Sequence, residues 1–331
     1  MAQSNKYDFI ADALLERIAA GEITGRLPSV RALSAHYQVS SRTLGKALKR
    51  LAEAGYVLPG PHGTLLNPER RPRPRTGRVV LLTQEPGMAV SQFDDFRELA
   101  ERSSVKLSVC ALNDFAEPYA DGYIFWGCAY DRKVVERMVR DGVPAVSVNA
   151  LADNALLSYV DLSYREAFFQ ALNRLIGKGV RRVAFFHPMS SSSMGLANWK
   201  VLYREFVAEC REFQLKQPEL DAYLPTHCNN ALEFVDHLLR QKRQVEVIMQ
   251  LNWHAELYDA LLARGLRPGR DVRLMSLPIG VRQIRQWYAA AWELLLERRR
   301  DPYAPPRQGL IPVGSRFVPC DSLEDYLEIQ K

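Results

Sequence analysis

Tyr7, Ile10, Leu14 and Ile18 recur at helical spacing, and Gly21 and Gly25 end the helix they predict. Ser29 is a favourable N-cap for a second helix, which turns Leu33 and Tyr37 inward, and Ser40 caps a third. On a helix starting at Ser41, Leu44, Ala47, Leu48 and Leu51 share one face, which is therefore buried. The next segment, YVLPGPHGTLL over 56–66, reads as two short apolar strands around a Gly- and Pro-containing turn. Residues 67–77, NPERRPRPRTG, have no apolar period and break any helix, so they read as an extended linker.

Beyond the linker the pattern becomes strand, helix, strand, helix. Apolar strands are expected at 78–83, 105–110, 122–126, 145–148, 182–186, 246–250 and 272–276. Helical periodicity fills 93–103, 131–141, 163–177, 198–213, 230–242, 254–264 and 281–300. Such alternation predicts an α/β class with one or two doubly wound parallel sheets. The organisation expected is a small, mainly helical unit over 1–66, a linker over 67–77 and a larger α/β unit over 78–331.

Charge changes the picture of the first unit. Residues 1–77 hold 12 Lys plus Arg against 6 Asp plus Glu, so the entire net charge of +6 lies there and the remainder is balanced. The stretch QVSSRTLGKALKRL, 38–51, carries Arg42, Lys46, Lys49 and Arg50 and no acid. A solvated helix face usually mixes signs to gain pairs at i and i+4, whereas a row of like charges costs stability unless a polyanion binds it. Two capped helices joined by a short turn, followed by a hairpin, make a winged helix-turn-helix whose second helix enters the major groove of DNA.

These residues resemble the GntR family of bacterial transcription regulators. The matching elements, in order, are I18-A-A-G21, L27-P-S-V-R-A-L33, V39-S-S-R-T-L-G-K-A-L48, Leu51, Gly55 and G60-P-H-G-T64. The resemblance implies that Arg31, Ser40, Ser41, Arg42 and Thr43 approach DNA, that His62 and Gly63 reach a neighbouring groove from the wing tip, and that Lys46, Lys49 and Arg50 hold phosphates. Val30, Ser41 and Gly45 depart from the family pattern, so base preference does not carry over.

The later segments resemble, in order, the effector domain of the LacI family, a relative of periplasmic sugar-binding proteins. They are D121-G-Y-I-F125, D141-G-V-P-A-V-S-V-N149, S158-Y-V-D161, the run from Phe168 to Phe186, and V245-E-V-I-M-Q-L-N252 leading into Ala260–Met275. The resemblance implies a two-lobed, periplasmic-binding-protein-like α/β body that closes on a small molecule, with Gln84, Trp126, Asn149, Asp161, Ser190–Ser193 (Ser191 at their centre), Lys200 and Asn252 lining the cleft. Two polar contacts of the family pattern are missing, since Asn252 is followed by Trp253 and the next strand by S276-L-P-I-G280. A sugar, another small molecule or an unoccupied scaffold all remain open.

Other chemistry finds little support. With 47% hydrophobic and 25% charged residues, and no apolar run near the ~18 residues that cross a bilayer, the chain reads as soluble, and without a secretory signal it is expected in the cytoplasm. Cys110, Cys128, Cys210, Cys228 and Cys320 are scattered and unpaired in sequence, so neither a disulfide framework nor a zinc site is expected. His187 before the serine run lacks a nucleophile elbow, and no phosphate loop occurs. The expectation is therefore a regulator and not an enzyme, with no cofactor and no metal, binding a double-stranded DNA operator as a homodimer, probed by a small-molecule effector such as a sugar. The rival reading is a small-molecule binding protein or enzyme whose basic N-terminus does not read DNA.

Overall fold

The computed structural model describes residues 6–70, 72–83, 93–112, 120–127, 131–148, 156–187, 193–223, 230–241, 244–279, 281–314 and 316–329. The chain opens with three helices, α1 (Lys6–Ala19), α2 (Val30–Tyr37) and α3 (Ser41–Glu53), then a hairpin of β1 (Val57–Gly60) and β2 (Gly63–Leu66). Both expected caps form: Ser29 Oγ accepts from Ala32 N and Ser40 Oγ accepts from Thr43 N, each at 3.2 Å. Gln38 adopts a left-handed φ of 51° and breaks α2 from α3. Ile10, Leu14, Leu33, Leu44, Ala47 and Leu51 close a small apolar core between these helices.

A six-stranded parallel sheet follows, in the order β12-β7-β6-β5-β3-β4. Its strands are β3 (Arg78–Thr83), β4 (Lys106–Ala111), β5 (Gly122–Trp126), β6 (Ala145–Val148), β7 (Ser158–Ser163) and β12 (Gln308–Pro312). Helices α4 (Asp94–Arg102), α5 (Arg132–Arg140) and α10 (Val281–Arg300) cover it. The second sheet runs β13-β11-β10-β8-β9, from β8 (Arg182–Phe186), β9 (Asp221–Tyr223), β10 (Val247–Leu251), β11 (Arg273–Leu277) and β13 (Val318–Pro319). Only β13 is antiparallel. Helices α6 (Arg165–Gly177), α7 (Ser193–Lys216), α8 (Ala231–Leu239), α9 (Ala255–Ala263) and α11 (Leu323–Ile329) belong with this lobe.

The backbone passes between the sheets three times, after β7, after β11 and after β12. The seven strands expected from periodicity all form, within a residue of their expected bounds. Those not anticipated were β7, β9, β12 and β13, which are short, polar in part or interrupted by proline. One apolar core spans both lobes, from Val79, Phe96 and Trp126 to Phe168, Phe206 and Met249. Among the described residues no helix is long and apolar enough to cross a membrane.

Phe168 is fully buried on α6, with the rings of Phe185, Phe206 and Phe317 at 5.3, 5.2 and 5.2 Å. Its truncation removes contacts from three separate elements and leaves a cavity that none of them can fill. Phe168→Ala is expected to cost about 3–5 kcal/mol, read as a lower urea midpoint for the body.

Candidate functional site

On α3, Leu44, Ala47 and Leu51 pack inward and leave Ser41, Arg42, Lys46 and Lys49 on the outer side. Neither α2 nor α3 carries an acid in its first turn, so the positive end of each helix dipole is unneutralised. Arg31, Ser40, Ser41 and Arg42 are exposed around the α2–α3 junction, whereas Thr43 is half-buried with its hydroxyl 3.0 Å from Ser40 Oγ. Lys46 Nζ lies over the Tyr7 ring at 5.6 Å, and Lys49 pairs with Glu53 at 3.7 Å, both side chains being well exposed. An exposed pair of that length is weak enough to yield to a phosphate.

Arg50 departs from expectation. Its guanidinium turns toward α1 and pairs with Asp8 and, at 3.9 Å, with Asp12. The residue ties α3 to α1; helical position alone could not show this, because the acids lie 42 and 38 residues earlier.

The wing pairs in register Val57↔Leu66, Leu58↔Leu65, Pro59↔Thr64 and Gly60↔Gly63, placing Pro61 and His62 at the tip. His62 and Gly63 are exposed, and Gly63 has a φ of 118° that a side chain would strain. Arg26 was missed by the sequence reading. It forms an antiparallel bridge to Leu65, flanked by Leu27 N donating to Thr64 O at 2.9 Å, which sets an exposed cation beside the wing. One bridging residue has no periodicity to reveal it.

The second candidate region lies at the carboxyl ends of the two sheets' strands, where open α/β sheets bind ligands. Gln84, Asn149 and Ser191 lie outside the described residues. Lys200 is on α7. Trp126 corrects the expectation of a free aromatic face: it is 5% exposed, with Phe93, Phe96, Trp287 and Tyr288 packed around it at centroid distances of 4.9 to 6.0 Å. Its Nε1 is buried without a hydrogen-bond partner among the described residues. Asp161 is buried within β7, where, after burial itself, its charge adds to raising the Tyr159 hydroxyl. Asn252 has a left-handed φ of 55° and its Oδ1 accepts from Ile279 N at 3.1 Å, so its side chain joins the loops after β10 and β11.

A histidine pair at this end was also missed. His187 follows β8 and His254 precedes α9, with ring centroids 5.9 Å apart. Among the described residues, His187 Nδ1 and His254 Nε2 are buried without hydrogen-bond partners. Below them Gln250 is fully buried; its Nε2 donates to Ser276 Oγ at 3.0 Å, and His254 N donates to its Oε1 at 3.3 Å. Burial, helped by the neighbouring His254, lowers the His187 pKa to about 4; burial also lowers that of His254, against a hydrogen bond to the Leu251 backbone. Burial thus favours the neutral form of both rings.

Residues 6–60 match the family model described as bacterial regulatory proteins, gntR family. Over these residues the head is similar to that family's helix-turn-helix domain. The body behind this head shares its fold with solved regulators. The complex of the transcriptional regulator CelR with cellobiose is 16% identical with a TM-score of 0.55, and the match covers 89% of this chain and all of that one. A ribose operon repressor from Burkholderia thailandensis is 15% identical, TM-score 0.55, over 74% of this chain and 99% of that one. A LacI family regulator from Enterococcus faecium with bound ribose is also 15% identical, TM-score 0.54, over 74% and 98%. No curated protein sequence matches the chain.

The histidine pair makes the body acid-sensitive. The unfolded chain protonates His187 below about pH 6.5 while the native state resists until about 4, so stability falls as pH drops through that window. The expected slope is up to about 1.4 kcal/mol per pH unit for one proton. Urea midpoints measured from pH 7 to pH 4 are expected to fall further for wild type than for His187→Phe.

Proposed function

We propose that this protein is a DNA-binding transcription regulator, acting as a homodimer in the cytoplasm, whose body senses a small carbohydrate and changes operator affinity. The observation that carries the reading is the outer face of α3, where Ser40, Ser41 and Arg42 stand exposed at an acid-free helix N-terminus with Lys46 and Lys49 behind them. Its shape and charge suit a major groove, with Arg31 alongside and the wing, bearing His62 and flanked by Arg26, reaching past the flanking phosphates. Two half-sites of a symmetric operator need two heads, which supports a dimer.

The sugar reading draws on the compared regulators, two of which hold cellobiose or ribose. In this chain the ligand contacts differ from those the resemblance implied, because Trp126 is filled in and Asn252 is engaged. The neutral His187–His254 pair supplies nitrogens suited to hydroxyl groups and carries no charge to attract an ion. A ligand shifts operator affinity only by binding the two lobe arrangements unequally.

Duplex binding is expected to weaken with salt at about 0.9 log units per phosphate contact. Lys49→Ala is expected to reduce that slope by about one, Arg50→Ala to leave it unchanged, and the Arg42→Glu, Lys46→Glu double variant to abolish binding. Equal slopes for wild type and the double variant sink the DNA reading. A carbohydrate panel that leaves operator affinity unmoved sinks the effector reading alone.

A further inference from the structure

The segment read from sequence as a spacer is fastened along most of its length. Arg70 Nη1 donates to Ala54 O at 2.8 Å, Arg73 pairs with Asp141 at 3.5 Å, and Arg75 pairs with Glu16 at 3.2 Å. Asp121, at the start of β5, accepts from Thr76 Oγ1 at 2.9 Å, from Gly77 N at 3.1 Å and from Arg299 Nη2 at 2.9 Å. Head, spacer and first lobe are therefore joined through side chains as well as through the backbone.

At the centre of this seam is Tyr303, in the turn that follows α10. Its ring meets Tyr56 of the head edge-on, centroids 6.3 Å apart, and the Arg70 guanidinium lies 4.7 Å from its centroid. On the body side it presses on Gly142, where an added Cβ would fall 2.5 Å from the ring. Gly55 is constrained in the same way, since a Cβ there would fall 2.6 Å from Arg70 Nη1. Two glycines with positive φ, 75° at Gly55 and 65° at Gly142, thus leave room for the ring and the cation stacked on it. Arg298, 7% exposed, shapes the turn by donating to Ala304 O and Pro305 O.

We propose that Tyr303 is the coupling residue by which the body sets the orientation of the DNA-reading head. α10 leaves the second lobe directly after β11, packs along β5, β6 and β7 of the first, and delivers Tyr303 to the head at its far end. A change of angle between the lobes has a direct mechanical route to the head through this helix. The contacts suit reversible docking: exposed ion pairs are individually weak, while one ring in a shaped notch fixes a single geometry. A cavity of about 290 Å³ beside the notch, lined in part by Asp12, Glu16, Arg75, Asp121 and Arg299, leaves the head space to pivot. The purpose of this coupling rests on the proposed function; the docking itself does not.

Trypsin cleavage of the full-length protein within residues 70–75 reports docking without DNA or effector. Tyr303→Ala is expected to raise the initial cleavage rate about ten-fold, equivalent to about 1.4 kcal/mol of docking, with unchanged helical circular dichroism. Tyr303→Phe keeps the ring and is expected to stay within about two-fold of wild type. Gly142→Val, which fills the notch from the body side and leaves the head core untouched, is expected to match Tyr303→Ala. Equal rates for wild type, Tyr303→Ala and Gly142→Val overturn the proposal, as does a Tyr303→Phe rate equal to that of Tyr303→Ala. Duplex binding measured on the same variants separates the two ideas: a wild type that binds no DNA yet shows the cleavage pattern loses the proposed function and keeps the coupling.

Discussion

The burial of Leu44, Ala47 and Leu51 against α1 governs the arrangement of the N-terminal head. A helix has one rotational degree of freedom in such a packing, and three apolar side chains at 3.6-residue spacing remove it. Every polar position of α3 is then assigned a direction by default, including those that point into solvent with their charge unspent. Arg50 falls at the boundary between the two sides, close enough to α1 for Asp8 and Asp12 to claim it. The cationic surface is consequently narrower than the count of basic residues suggests: Arg42 stands in the first turn, where the backbone dipole adds to it, with Lys46 and Lys49 farther along the helix.

The body obeys a different constraint. Parallel strands must be covered on both faces, and the buried strands Val79–Leu82, Gly122–Trp126 and Val247–Leu251 supply near-continuous apolar runs for that purpose. Polar groups collect where those runs stop. Gln250, Ser276, His187 and His254 form such a collection in the second lobe, with Gln250 holding His254's backbone in place from below. The first lobe ends instead in packed aromatics around Trp126. The carboxyl ends of the two sheets are therefore chemically unlike, one finished by polar side chains and the other by packed rings.

Legibility followed period. Elements with strong 3.6- or 2-residue patterning, α3, β5 and β10 among them, could be placed from sequence because each such pattern reports its own burial. β12 and β13 could not, since each is stabilised by a partner strand more than forty residues away and carries proline. The exposed side chains near Ser40 were readable because a capped helix displays them in a fixed order. The cleft was less so: Trp126 looks like a ligand platform until its four aromatic neighbours are known, and His187 and His254 become a pair only once β8 and β10 lie side by side. Arg70 and Arg73 looked like the charged filler of a spacer because their partners, Tyr303 and Asp141, sit far along the chain.

The three passages of backbone between the sheets carry a consequence for how this molecule can be divided. β12 completes the first sheet and β13 the second, and both come from the final segment of chain, after α10. A protein cut after Arg300 would strip an edge from each lobe at once, exposing unpaired amides on two surfaces. Neither lobe corresponds to a contiguous stretch of gene, so the body is inherited, duplicated or transplanted whole. The helical head, made from one uninterrupted stretch, is the part that recombination can exchange.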